Sequence, residues 1–183
     1  MSGGAHVDPS NKKIALLMSI LALILAISET LGNGAQTKAL AANIEASNLW
    51  NFFQAKTVRM TVLRSSAEAM ETEASGKPSP AAAAQIEKWR KTAERYDNEP
   101  ETNEGRKQLM ARAKALEASR DLAMAAYHQY EIASAAVQIA IVLASSAVIT
   151  GLSALTVAAF GLGLFGIAFT LIGLLAPTAI HIF

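Results

Sequence analysis

Apolar runs at both ends of the chain enclose a long polar middle. Residues Ile132–Ala176 carry no charged side chain. They read as two runs, 132–150 and 154–176, on either side of Gly151-Leu152-Ser153. A hydrocarbon core about 30 Å thick needs roughly 20 apolar residues as helix. Each run is about that long, so the pattern predicts a membrane hairpin. A further run, Ile14–Ile27, is interrupted only by Ser19 and follows Lys12-Lys13. Fourteen residues span only about 21 Å as helix, and two readings compete. One is a signal peptide with Ala26-Ile27-Ser28 as its cleavage site. The other is a membrane helix over 12–31, its lysines snorkelling at one end and Glu29 reaching water at the other. No helix breaker precedes Gly32, which favours the membrane helix.

The polar middle, 32–131, keeps a helical period. Gly32-Asn33-Gly34 is a candidate stop. Yet the segment after it, 36–75, places Ala39, Ala42, Ala46, Leu49, Phe53, Met60, Leu63, Ala67, Met70 and Ala74 on one heptad. Only Lys56 breaks that count, which is the grade of pattern seen in coiled coils. Trp50, Phe52 and Val58 lie off the seam. Gly76-Lys77-Pro78-Ser79-Pro80 is a turn, with Ser79 suited to an N-cap and Pro80 to the first helical position. A short helix follows over 81–96. Pro100 disfavours helix at Glu99. The period resumes over 102–131 with Leu109, Ala113, Leu116, Arg120, Ala123, Tyr127 and Tyr130, and runs on into the second membrane run without a break.

Leu31–Ser75 is about 67 Å long as helix, and 81–96 plus 102–131 about 69 Å. The arms match, so the expected fold is all-α. Three transmembrane helices (12–31, 132–150, 154–176) would carry a helical-hairpin stalk, coiled-coil-like, over 32–131. Tails of 1–11 and 177–183 complete the layout. The first is small and polar and reads as disordered, with Ser10 or Asn11 capping the helix after it. In the third span Gly163, Gly166 and Gly173, with Ala159 and Thr170, share one face. Helices in lipid associate by close backbone packing, which small faces permit. Leu162, Phe165, Phe169 and Ile172 take the other side and suit lipid.

Composition sharpens this picture in two ways. Of the 31 charged residues, 27 fall within 32–131, nearly balanced in sign. That balance gives no reason to expect a nucleic-acid partner, which needs a basic face. Cysteine is absent, which removes disulfides, thiolate metal sites and thiol catalysis. Lys12 and Lys13 favour a cytoplasmic N-terminus, while Lys38, Arg112, Lys114 and Arg120 pull the other way. The first helix usually dominates, so the stalk is expected on the non-cytoplasmic side.

Candidate chemistry is sparse. Gly161-Leu162-Gly163-Leu164-Phe165-Gly166 matches the dinucleotide fingerprint in letters. It lacks the preceding strand and the following acid, and helix packing explains it. His6, His128 and His181 share no ligand spacing, and His128 beside Tyr127 and Tyr130 suits an interfacial anchor. Glu29 is a possible ion-path residue or simply the point where the first helix leaves lipid. Gln138 is read as an interhelical hydrogen-bonder. Lys56 and Arg120 interrupt their seams, where one charge can set register. Glu68, Glu71 and Glu73 could meet Lys88, Arg90 and Lys91 near the turn. No nucleophile or acid–base arrangement is present, so no enzyme, cofactor or metal is expected.

Lys12-Lys13-Ile14-Ala15-Leu16-Leu17, then Gln36-Thr37-Lys38-Ala39-Leu40 and Asn43-Ile44-Glu45-Ala46-Ser47, lead to Trp50-Asn51-Phe52-Phe53-Gln54-Ala55-Lys56. This passage resembles a family of bacterial membrane proteins known as domain of unknown function 4337, and the order of later segments agrees. The resemblance implies a bacterial inner-membrane protein with three spans and a helical domain. It implies no activity and no catalytic residues.

The leading expectation is a structural or interaction protein, homo-oligomeric in the bilayer. Its seam residues are Leu49, Phe53, Lys56, Met60, Leu63, Met70, Leu109, Leu116 and Arg120. The motive is surplus surface, because one hairpin is not expected to hide both the Leu49/Phe53/Leu63 seam and the Trp50/Phe52 side. A small channel or transport accessory using Glu29 is the alternative, and an accessory subunit of a larger membrane complex is a third.

Overall fold

The computed structural model describes residues 9–180, with side chains from Lys12. The described residues form four helices and no strand: α1 (Pro9–Glu73), α2 (Pro80–Asp97), α3 (Arg106–Thr150) and α4 (Ser153–Leu175). The tail over 1–8, with His6, and residues 181–183, with His181, lie outside them. The helices contribute to two compact units. One comprises the described residues up to Ala39 and from Asp121 onward, the other Leu40–Arg120.

Several boundaries differ from the sequence expectation. Helix α1 already includes Ser10 and Asn11, so neither is its cap. Proline at the first position explains the early start, because its fixed φ suits the first turn and its missing N–H would be unpaired there anyway. The helix also passes through Gly32-Asn33-Gly34 without a stop. Gly32 is buried against the Tyr130 side chain, and Thr37 Oγ1 donates to Asn33 O at 2.8 Å. A glycine costs a helix only about 1 kcal/mol relative to alanine, which burial in a long helix offsets. Helix α3 starts at Arg106 rather than 102. Asn103 has φ 59, and Gly105 abuts the Glu99 backbone N and the Gln108 side chain so closely that no Cβ fits. Residues 102–105 therefore complete a tight loop.

In the first unit, Leu21, Val137, Ala140, Ala144 and Ala159 form the core. Ile24, Leu25, Ile141 and Leu162 pack around it. Leu162 thus faces helices rather than the outside, and Phe169 and Ile172 are half-buried. Phe165 is exposed, alongside Phe160, Leu164, Leu171 and Leu174. The α3–α4 turn is made by Gly151 at φ 70, with its N–H bonded to Ala147 O at 2.9 Å. That left-handed cap is the conformation glycine adopts without strain. Three helices are long and apolar enough to cross a membrane: α1, α3 and α4.

In the second unit, Leu49, Leu109 and Ala113 form the core, with Trp50, Phe52, Phe53 and Leu116 packed on it. Met60 is buried, while Leu63 and Met70 are half-buried. Helix α2 packs back along α1, with Ile86 and Ala93 buried. Arg90 Nη2 bonds Glu71 Oε2 at 2.6 Å. Lys91 pairs with Glu87 on its own helix instead of with α1.

This arrangement corrects the surplus-surface argument. Leu49 is buried, and Trp50, Phe52 and Phe53 from both sides pack half-buried on the core made with Leu109 and Ala113. Trp50 Nε1 donates to Glu117 Oε1 at 2.8 Å, so the indole edge is satisfied on α3. A two-stranded count misses that two helices and a loop cover α1 here.

Candidate functional site

The one charge in the α1 seam, Lys56, lies within the second unit. Lys56 is only 4% exposed, and a buried ammonium must be paired and hydrogen-bonded. Its Nζ lies 3.1 Å from Glu99 Oε2 and 4.0 Å from Glu104 Oε2. It also stands 5.2 Å from the Phe52 ring centroid and 5.7 Å from that of Tyr96, within the range where an aromatic face attracts a cation. The Lys56 hydrogen bond draws the Glu99 carboxyl below the ordinary carboxylate range. Burial opposes the shift, while the charges of Lys56 and Arg95 and a hydrogen bond to Thr102 add to it.

Arg106 locks the other side of the loop. Its Nη1 bonds Asp97 Oδ1 at 2.9 Å, and its Nε donates to Thr57 Oγ1 at 2.8 Å. Its guanidinium carbon lies 4.8 Å from the Phe53 centroid. Gln108 Oε1 accepts from Glu99 N, and Gln108 Nε2 donates to Asn98 Oδ1 at 2.6 Å. Arg120, the other seam charge, donates to Asn43 Oδ1 at 3.3 Å. These groups hold one another. Together they fix the 98–105 loop against α1.

The first unit holds a polar cleft of about 450 Å³ lined by Glu29, Glu131, Ser134, Gln138, Tyr127 and Asn33, among others. Glu29 is exposed, and its Oε1 accepts from Gln138 Nε2 at 3.2 Å. The neighbouring Ser28 is fully buried. Its hydroxyl lies 2.8 Å from Thr170 Oγ1 and 2.9 Å from Ile24 O. Thr170 Oγ1 is likewise 2.8 Å from Gly166 O. Thr170 precedes the end of α4 by five residues, so the Ser28–Thr170 contact lies about 8 Å inside that end. Tyr130 is buried rather than at the surface, and it packs on Gly32 and Gly173. His128 Nδ1 is 3.7 Å from Glu131 Oε2. No group of three or more His, Cys, Asp or Glu able to hold a metal occurs among the described residues.

The small face of α4 meets its neighbours at close range. A Cβ on Gly163 would lie 2.6 Å from Leu21 Cδ2, and one on Gly173 2.7 Å from Tyr130 Cε1. One on Gly166 would collide with a Val137 methyl and stand 3.2 Å from Ala133 O. The model of a family described as a domain of unknown function (DUF4337) matches residues 10–176. The chain belongs to this family. No curated protein and no solved structure matches it.

Within this DUF4337 member, the residues Tyr96, Glu99 and Glu104 that surround the Lys56 ammonium, and Arg106 beside them, carry no sequence signal of their own. Glu99 is 43 residues from Lys56, and only the oddity of a lysine in an apolar seam points towards a partner acid. The cleft residues Glu131 and Ser134 have a better cue, because Ser134 and Gln138 are four apart and share a helix face.

Proposed function

We propose that this protein is an integral membrane protein with three spans whose role is structural or interactive, and that it works as an assembly of identical chains. The observation that carries the membrane reading is the exposure of its apolar helix windows. Only 17%, 39% and 22% of the most apolar windows of α1, α3 and α4 are buried. In water such faces would be an aggregation hazard, and in lipid they are the solvated surface. The lysines at the start of α1 favour a cytoplasmic N-terminus in an inner membrane, with the polar middle on the far side. Within one chain, the small face of α4 and the Ser28–Thr170 contact join its helices in the way helices associate in lipid, which supports the membrane reading.

Membrane fractionation tests the first half of this reading. The chain should stay in the pellet after alkaline carbonate extraction, and release as a soluble protein would sink it. Native mass spectrometry in detergent tests the second half, where a purely monomeric spectrum counts against the assembly. A channel or transport accessory is a second reading, supported by the Glu29–Gln138 contact in a polar cleft. Ion flux in liposomes that is lost in Glu29→Gln would favour it, and unchanged flux would end it.

A further inference from the structure

Helix α1 carries a second 3-4 seam on the side opposite the buried one. Counted from Ala41 it runs Ile44, Asn48, Asn51, Ala55, Val58 and on through Val62 and Ser65 to Ala69. Every one of these positions is exposed, with Ile44 at 53%, Val58 at 62% and Val62 at 57%. None is charged, although Glu45, Arg59, Arg64 and Glu68 stand on the same helix between them. A solvated face normally mixes charges into such positions. A charge-free stripe at heptad spacing over four heptads is instead the form of a helix–helix seam.

We propose that this stripe is the pairing surface for a second copy of the chain, with the two α1 helices parallel and in register. The proposal rests on the membrane reading above. Copies inserted the same way round start α1 in the bilayer and run it in one direction, which makes their pairing parallel. In register, each layer then meets itself. Ile44, Val58 and Val62 stack apolar on apolar, and the alanines at 41, 55 and 69 allow close approach. Asn48 and Asn51 each carry both donor and acceptor, so each satisfies its own symmetry mate. A buried asparagine layer is also what sets register and a two-stranded state. Flanking positions bring Gln54 towards Arg59 and Ser47 towards Phe52 of the mate. The one like-charge neighbour pair, Glu68 with Glu73, falls in the last turn of α1. Counted back from Ala41, the sequence steps through Thr37, Gly34, Thr30, Ile27 and Leu23, again without a charge.

Cysteine crosslinking tests this cleanly, because the sequence contains no cysteine. Single substitutions Ala41→Cys, Ala55→Cys and Val62→Cys in the full chain should form disulfide dimers on mild oxidation in membranes. Asn43→Cys and Arg64→Cys, on the flank of the stripe, should form at least tenfold less. Val58→Glu and Val58→Lys each place like charges in one layer and should weaken self-association at least tenfold. Mixing the two variants should restore it. A wild-type oligomer that crosslinks equally at 43 and 64 and ignores Val58→Glu overturns this seam and leaves the assembly reading standing. A wild-type monomer overturns both.

Discussion

Lys56 Nζ lies 3.1 Å from Glu99 Oε2, and this contact ties the α2–α3 loop to the middle of α1. Its removal should be felt by the Leu40–Arg120 unit as a whole. Lys56→Ala loses the charge and leaves the space of a long aliphatic stem. Lys56→Met keeps the stem's volume beside Phe52 and Tyr96. The methionine variant should therefore be more stable than the alanine variant by about 2 kcal/mol or more. Thermal melting of the two in one detergent measures this, and equal midpoints would show that the lysine stem does not pack.

The same contact gives a pH dependence with a defined sign. The folded Glu99 carboxyl titrates below its ordinary value, chiefly because it accepts the Lys56 hydrogen bond. A depressed carboxyl contributes stability that is fully present above its unfolded pKa, about 4.3. That stability is lost as pH falls through the lower folded value. Glu99→Gln should be less stable than wild type at pH 7, and the gap should close towards pH 3. A gap that stays constant from pH 7 to pH 3 would mean that the carboxylate charge is not what holds the loop.

Local chemistry is the legible part of this fold. The 76–80 turn is written in its own residues. Ser79 Oγ accepts from Ala82 N at 3.3 Å with Pro80 starting α2, and Ser75 and Gly76 have positive φ. The all-helical class and the three apolar helices follow from period and run length. What the sequence does not disclose is which surface covers which. Heptad spacing marks a face of α1 for burial without saying that Leu109, Ala113 and the 98–105 loop bury it. Nor does the Gly32-Asn33-Gly34 stretch disclose that Gly32 is buried beside Tyr130, a residue remote in sequence. The Lys56–Glu99 contact is hidden in the same way, since pairing between distant residues leaves no periodic trace.

The glycines of the first unit separate packing from propensity. A methyl group added at Gly34 or Gly161 would meet nothing within 4 Å, and neither residue has a positive φ. Alanine has the higher helix propensity by about 1 kcal/mol, so Gly34→Ala and Gly161→Ala should each stabilise by up to that amount. Gly166→Ala must push aside a Val137 methyl near a backbone carbonyl, and Gly173→Ala must displace the Tyr130 ring. Each of these should destabilise by about 1–3 kcal/mol. Melting the four variants side by side in one detergent checks the order. Tolerance of alanine at 166 and 173 would show that α4 does not sit as close as its small face allows.

Ser28 and Thr170 share an unusual proton count. Each hydroxyl has one proton, yet the pair has three hydrogen-bond contacts, two to carbonyls of their own helices and one to each other. Only two can carry a proton at once, so the link between α1 and α4 competes with bonds that each helix can make alone. Coupling between such groups in lipid averages about 0.6 kcal/mol. A Ser28→Ala, Thr170→Val double-mutant cycle should return a coupling of that size, well below that of a dedicated interhelical bond. Coupling above about 1.5 kcal/mol would mean that the proton stays on the interhelical contact and that this pair holds α4 in place. Coupling near zero would leave the α1–α4 contact to close packing such as that of Gly163 on Leu21, and Gly163→Ala should then loosen α4 from α1 more than Ser28→Ala does.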